Sequence, residues 1–195
     1  MSRPKGQGLT PTMVVEAAIA CLEAEGESAL GVNRVARALG IKPPSIYKHI
    51  DGNAALRHSV ALKLWRRFLV DCHQQTDNLN DSDAIIRAIA RTMRHFAQSH
   101  PVLYTVMTRT QLSLSDPEFA PIAQEILSFY NKALAPCEFE EAELIDAIRM
   151  IHAGLLGFIE AEKAGLFTLP RSLDLSFERM LDALIEALQS KAFKP

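Results

Sequence analysis

Residues 31–50 read Gly-Val-Asn-Arg-Val-Ala-Arg-Ala-Leu-Gly-Ile-Lys-Pro-Pro-Ser-Ile-Tyr-Lys-His-Ile, and their punctuation decides the fold. Val32, Val35, Ala36 and Leu39 recur at helical spacing and form one apolar stripe. Gly40 supplies the left-handed residue on which a helix can end and the chain can turn sharply. Pro43 and Pro44 suit a loop and the first turn of a second helix, where a missing N–H costs nothing. That second segment, Pro44 to Ile50, buries Ile46 and Ile50 and leaves Ser45, Tyr47, Lys48 and His49 to point elsewhere. Isolated helices shorter than about 12–15 residues are marginal in water, so neighbours must brace it. Helix, glycine, helix also describes an ordinary two-helix corner. The Tyr-Lys-His tip, the lack of Asp and Glu between Gly31 and Ile50, and the flanking helices favour a helix-turn-helix, its second helix offered to a DNA major groove.

Charge divides the chain in the same place. Residues 1–67 hold 10 Lys and Arg against 5 Asp and Glu, whereas residues 68–195 hold 11 against 18. A basic head on an acidic body suits a nucleic-acid module joined to something that does not touch phosphate. The N-terminal Met-Ser-Arg-Pro-Lys-Gly-Gln-Gly has no apolar run behind its charges and reads as a loose basic arm, not a signal peptide. No apolar run approaches the roughly 20 residues that cross a bilayer. Three widely spaced cysteines, Cys21, Cys72 and Cys137, argue for reduced thiols and a cytoplasmic setting.

Working outward, Thr10 to Glu25 reads as a buttressing helix capped by Thr10 or Thr12 and ended by Gly26. Asp51-Gly52-Asn53 is expected to turn, and a long helix follows from about Ala54 to His73. Further helices are expected at Ala84–Gln98, from His100-Pro101 to about Thr110, from Asp116-Pro117 to about Leu134, at Glu140–Lys163 and at Leu173–Lys191. No period-two alternation appears, so the fold is predicted to be all-α. It divides into a three-helix helix-turn-helix domain at 1–55 and, through the long helix, a regulatory and dimerisation domain at 56–195.

With these residues laid out, the chain resembles the tetracycline-repressor (TetR) family of bacterial regulators. The likeness rests on Val35-Ala36-Arg37-Ala38-Leu39-Gly40-Ile41, Ile46-Tyr47-Lys48-His49-Ile50 and Ala54-Ala55-Leu56. A second part, Ile151-His152-Ala153-Gly154, Glu160, Gly165-Leu166-Phe167 and Ser176-Phe177, resembles the subgroup named for its Trp-His-Gly motif, with Ala153 inserted. The resemblance implies a regulator, expected to be a repressor, that binds a near-palindromic operator as a homodimer and is released by a small molecule. It places Asn33 and Arg34 at the groove edge, Lys42, Pro44, Ser45 and Lys48 at base-facing or groove-facing positions, and Tyr47 and His49 on backbone phosphates. One departure stands out: the family's phosphate-gripping lysine at the start of the fourth helix is here Asn53, which shifts weight to Lys48, Arg3 and Lys5.

The residue chemistry agrees with these assignments. Lysine donates to guanine, asparagine pairs with adenine and serine reads either base edge, while Tyr and His on phosphate set register. In the body, Trp65, Phe68, Phe96, Tyr104, Met107, Tyr130 and His152 are candidates to line an apolar ligand cavity. A homodimer is expected to use the helices at Glu140–Lys163 and Leu173–Lys191 through Leu155, Phe158, Ile159, Phe177, Leu181, Leu184 and Leu188. No His has an acidic residue three positions before it, and there is no His-Glu-x-x-His, Gly-x-Ser-x-Gly or phosphate-binding glycine loop. An enzyme is therefore not expected, nor a metal or cofactor. The alternatives are a helical adaptor using the same head on a protein partner, or a DNA binder without a small-molecule ligand.

Overall fold

The structure, a computed structural model, describes residues 8–190. Among these the ordered elements are helical and no strand occurs. The α-helices are α1 Pro11–Glu25, α2 Val32–Ala38, α3 Pro43–Ile46, α4 Gly52–Thr76, α5 Ser82–Ser99, α6 Pro101–Arg109, α7 Ala120–Leu134, α8 Glu141–Lys163 and α9 Leu173–Gln189. The all-α expectation is met. Arg3, Lys5 and Lys191 lie outside the described residues.

The chain forms two compact units. The first contains the described residues up to Leu69 together with Ser99–Ala123. Thr10 caps α1 by accepting from the Met13 N–H at 3.2 Å, and Gly26 ends it at φ 82°. The inner face of α1, notably Val14, Ala18 and Leu22, is fully buried, and α2 and α6 pack on this helix. Leu56, Val60 and Leu64 of α4 add a stripe with no exposed surface, as their spacing of four requires.

The second unit contains Val70–Gln98 and the described residues from Gln124 onward. Its core joins Ile85 and Ile86 of α5, Tyr130 and Leu134 of α7, Ile151 of α8, and Ile185 and Leu188 of α9. Glu140 and Glu143 form a reciprocal capping box that starts α8. Where α8 meets α9, a Cβ on Gly154 would lie 2.9 Å from Leu184 Cδ1, so the glycine permits the close approach. Arg94 of α5 is almost buried, donates through Nε and an Nη to the Glu162 carboxylate at 2.8 and 2.7 Å, and lies 4.7 Å from the centre of the Phe177 ring.

Three boundaries differ from the expected ones. The segment expected to be helical from Pro44 to Ile50 is helical only over α3, and Tyr47–His49 form a turn instead. The long helix begins at Gly52 inside the expected turn and continues to Thr76. The helix expected from Asp116 begins at Ala120, because the Asp116 carboxylate accepts the Glu118 N–H at 2.9 Å and pairs with His58, holding 116–119 as a separate turn. The apolar faces expected to remain for an interface are largely used within one chain. Leu155, Ile159, Phe177, Leu181 and Leu188 are all buried there, and Phe158 and Leu184 are partly buried.

Candidate nucleic-acid interface

The turn between α2 and α3 is built by local hydrogen bonds. Gly40, at φ 66°, donates to Arg37 O at 3.1 Å, and Ile41 donates to Ala36 O at 3.0 Å. These two bonds close the C-terminus of α2 as a Schellman motif, which requires a left-handed residue at the position Gly40 occupies. Pro43 and Pro44 open α3 without wasting a donor. Only Ile46 of this helix is buried, with no exposed surface, and Ile50 is buried just beyond it. After α3 the N–H groups of His49 and Ile50 both bond to Ile46 O, at 2.8 and 3.0 Å, which tightens the chain around that one anchor.

Everything else on the turn faces solvent or its margin. Lys42, Pro44, Lys48 and His49 are exposed, Ser45 is half-buried, and the Tyr47 ring is 55% exposed. Lys42, Lys48 and His49 have no ion-pair partner among the described residues. A tip with two free cations, a phenol and an imidazole on a segment anchored by two isoleucines can donate to phosphates and base edges at no cost to the core.

Asn33 is exposed on α2, whereas Arg34 is already engaged. Its guanidinium donates in fork fashion to both oxygens of Glu25 on α1, the Nε bond being 2.8 Å. The Glu25 carboxyl is held below its ordinary pKa by that hydrogen bond. Periodicity did not reveal this pairing, since the two residues lie nine apart on different helices. Asn53, the departure from the family's lysine, is also engaged. Its Oδ1 accepts the Val32 N–H at 2.9 Å, capping α2 from the start of α4.

The seven candidate ligand residues fall into two groups, one per unit. In the first unit Trp65 Nε1 donates to Met107 O at 3.2 Å, the Trp65 and Phe68 rings meet edge to face, and Tyr104 and Met107 are fully buried. In the second, Tyr130 and His152 rings pack edge to face at 5.2 Å, and Phe96 is half-buried on α5. Burial lowers the His152 pKa, so the ring is neutral at pH 7. A cavity of about 390 Å³ opens in the second unit between Phe158 and the 166–173 loop, beside Leu166, Phe167, Leu169 and Arg171. A smaller one of about 160 Å³ lies against Ile86, Cys137 and Ile185. None of the seven residues lines either cavity. The signal for the larger one was present in the apolar 165–169 run, which loop grammar alone reads as a connection. Among the described residues no group of His, Cys, Asp and Glu is placed to hold a metal, and no helix is long and apolar enough to cross a membrane.

A short exposed reader braced by buried flanking helices, attached to an all-helical second unit, defines a helix-turn-helix transcriptional regulator. The family model for the tetracycline repressor-like C-terminal domain matches residues 86–184, and the chain belongs to the TetR family. An HTH-type transcriptional regulator of Mycobacterium tuberculosis is 27% identical over 158 residues, covering 81% of this chain and 72% of that one. The structure of BioQ with its double-stranded DNA operator superposes at a TM-score of 0.69 with 24% identity, covering 93% of this chain and 98% of BioQ. That of a TetR variant from Acinetobacter baumannii in complex with minocycline does so at 0.69 with 21% identity, covering 93% and 99%. At these identities the two structures establish the common fold.

Proposed function

We propose that the protein is a ligand-responsive repressor that binds a near-palindromic operator as a homodimer and occludes a promoter. The observation that carries this reading is the exposed tip where Lys42 and Lys48 are free cations and the His49 ring stands beside them, held by the buried Ile46 and Ile50. Asn33, Lys42, Pro44, Ser45 and Lys48 face the groove in this reading, and Tyr47 and His49 meet phosphates. Arg34 reaches the groove edge from its pair with Glu25. Selection from random duplexes is expected to enrich one near-palindrome, and a pool with no enriched sequence would refute the proposal. Within that site, Lys48→Ala is expected to relax preference at one base position by about 1–3 kcal/mol. A flatter salt dependence with unchanged preference would instead move Lys48 to a phosphate.

The dimer is assigned to the outward face of α8, where Ile145, Arg149, Ala153 and Gly157 are exposed, with Leu175 of α9. Two-fold symmetry lets two heads meet half-sites about one DNA turn apart. Sedimentation is expected to show a dimer at micromolar concentration, and Gly157→Glu is expected to shift it to monomer. The Trp-His-Gly subgroup assignment is supported by what its residues do. His152 packs on Tyr130, and Gly154 lets α8 approach Leu184 of α9.

The effector is a small, largely apolar molecule. Three places are candidates: the group around Trp65 in the first unit and the group around Tyr130 in the second, as read from the sequence, and the cleft beside Phe158, whose volume falls in the range of ligand sites. Ligand acts only through different affinity for the operator-binding and released states, so a switch needs a difference of a few kcal/mol.

A further inference from the structure

Helix α2 begins at Gly31, which has the extended backbone of an N-cap (φ −159°, ψ 146°) but no side chain to act as one. A helix start leaves its first N–H groups without partners, and Ser, Thr, Asp or Asn at the cap commonly satisfies one of them. Here the acceptor comes from 21 residues further on: Asn53 Oδ1 takes the Val32 N–H at 2.9 Å. The same oxygen lies 3.7 Å from where a Cβ on Gly31 would be, an ordinary contact distance, so it sits directly beside the bare cap position. Asn53 is the second residue of α4, so the cap ties the start of one helix to the start of another. The two oddities, a bare cap at Gly31 and an asparagine where the family grips a phosphate with lysine, therefore meet in one hydrogen bond.

We infer that Asn53 is a positioning residue for operator reading: it gears the start of α2 to the start of α4 through the cap of Val32, and does not contact DNA phosphate. This rests on the DNA-binding reading above and adds to it a route by which movement of α4 reaches the reader. If α4 shifts, the acceptor shifts with it, and α2 either follows or loses its cap. Because α2 carries the Schellman turn that presents Lys42 and α3, a loose α2 start blurs the geometry of the tip. Non-specific attraction to phosphate depends on charge alone and is untouched by an asparagine.

The test uses the full chain, with operator obtained by selection and a scrambled duplex as control. Asn53→Ala is expected to weaken operator binding about fivefold per reading head, the equilibrium equivalent of one lost helix cap. Binding to scrambled duplex is expected to stay unchanged, and hydrogen exchange at the Val32 amide to accelerate. Asn53→Asp keeps an acceptor at the same reach and is expected to preserve both operator affinity and Val32 protection. In the Asn53→Ala background, Gly31→Ser offers the N–H groups of Asn33 or Arg34 a local cap, which firms the start of α2 by another bond, and is expected to restore operator binding. The inference is overturned if Asn53→Asp binds operator more weakly than Asn53→Ala while Val32 exchange is unchanged, which is the signature of a phosphate contact. It is equally overturned if Gly31→Ser restores protection of the Asn33 and Arg34 amides without restoring affinity, or if Asn53→Ala leaves affinity unchanged. If the unmodified chain selects no operator, the DNA-binding reading falls, whereas the Val32 exchange rates still decide whether Asn53 is the cap.

Discussion

Replacing Glu162 with Gln is expected to lower the stability of the protein by about 3 kcal/mol, which in a chain of this size is about 6–12 °C in Tm. Glu162 and Arg94 form a bidentate pair whose side chains are 15% and 10% exposed, with Gln98 donating to the same carboxylate at 3.1 Å. Removing one partner of such a pair leaves the other charge desolvated without full compensation. Asp174 also reaches Arg94, at 2.8 Å, but is 84% exposed and therefore a weak substitute. The Phe158 and Phe177 rings beside the guanidinium, at 5.6 and 4.7 Å, offer only partial replacement for a carboxylate.

The pH dependence follows from the sign of the shift. The hydrogen bond from Arg94 holds the Glu162 carboxyl below its ordinary value of 4.5. Its contribution is present in full above that value and is lost as pH falls through the depressed folded-state pKa. Thermal melts from pH 7 down to pH 3 should therefore show a smaller acid-side loss for the Gln variant than for the unmodified chain. Parallel curves would mean that Glu162 contributes nothing ionic.

Ile46→Ala is expected to cost about 2–5 kcal/mol and to reduce operator affinity about tenfold or more. Ile46 is the only buried residue of α3 and receives the hydrogen bonds of both His49 and Ile50 on its carbonyl. Truncation opens a cavity beneath the segment that presents Lys48, so the loss falls on the reading geometry as well as on stability. Leu188→Ala, in the core of the second unit, is the control: a comparable melting loss with operator affinity retained well below Tm. Equal loss of affinity in both variants would show that stability alone explains the effect.

Helix existence was legible in the sequence wherever a long apolar stripe met a cap. Thr10 with Gly26 framed α1, Pro101 opened α6, and the long apolar stripe after Glu140 placed α8. What failed were segments whose conformation is set by a distant partner. The Asp116-Pro117 pair has the grammar of a helix start, but His58, 58 residues earlier, takes part in holding Asp116 in a turn. The bond from Arg34 to Glu25 is likewise invisible to local spacing, because its partner lies on another helix. The aromatic candidates suffered from a related limit. A 3.6-residue period says which face of a helix turns inward but not which neighbours it will meet, so residues gathered into one expected cavity belong to two separate units. The candidate DNA-facing residues were nominated on a different ground, that the core leaves them unused: between 44 and 50 only Ile46 and Ile50 are buried.

That division of labour has an evolutionary consequence. The side chains at positions 42, 47, 48 and 49 are exposed, whereas those at 46 and 50 are buried. Substitutions at the first set change what the tip can hydrogen-bond while leaving the folded population intact, since surface changes away from caps and cores typically stay within about 0.5 kcal/mol. In the proposed reading, a gene duplicate can therefore drift to a new operator through single steps, each encoding a folded protein, without crossing an unstable intermediate. The hydrophobic pair acts as a fixed socket into which different recognition letters can be set.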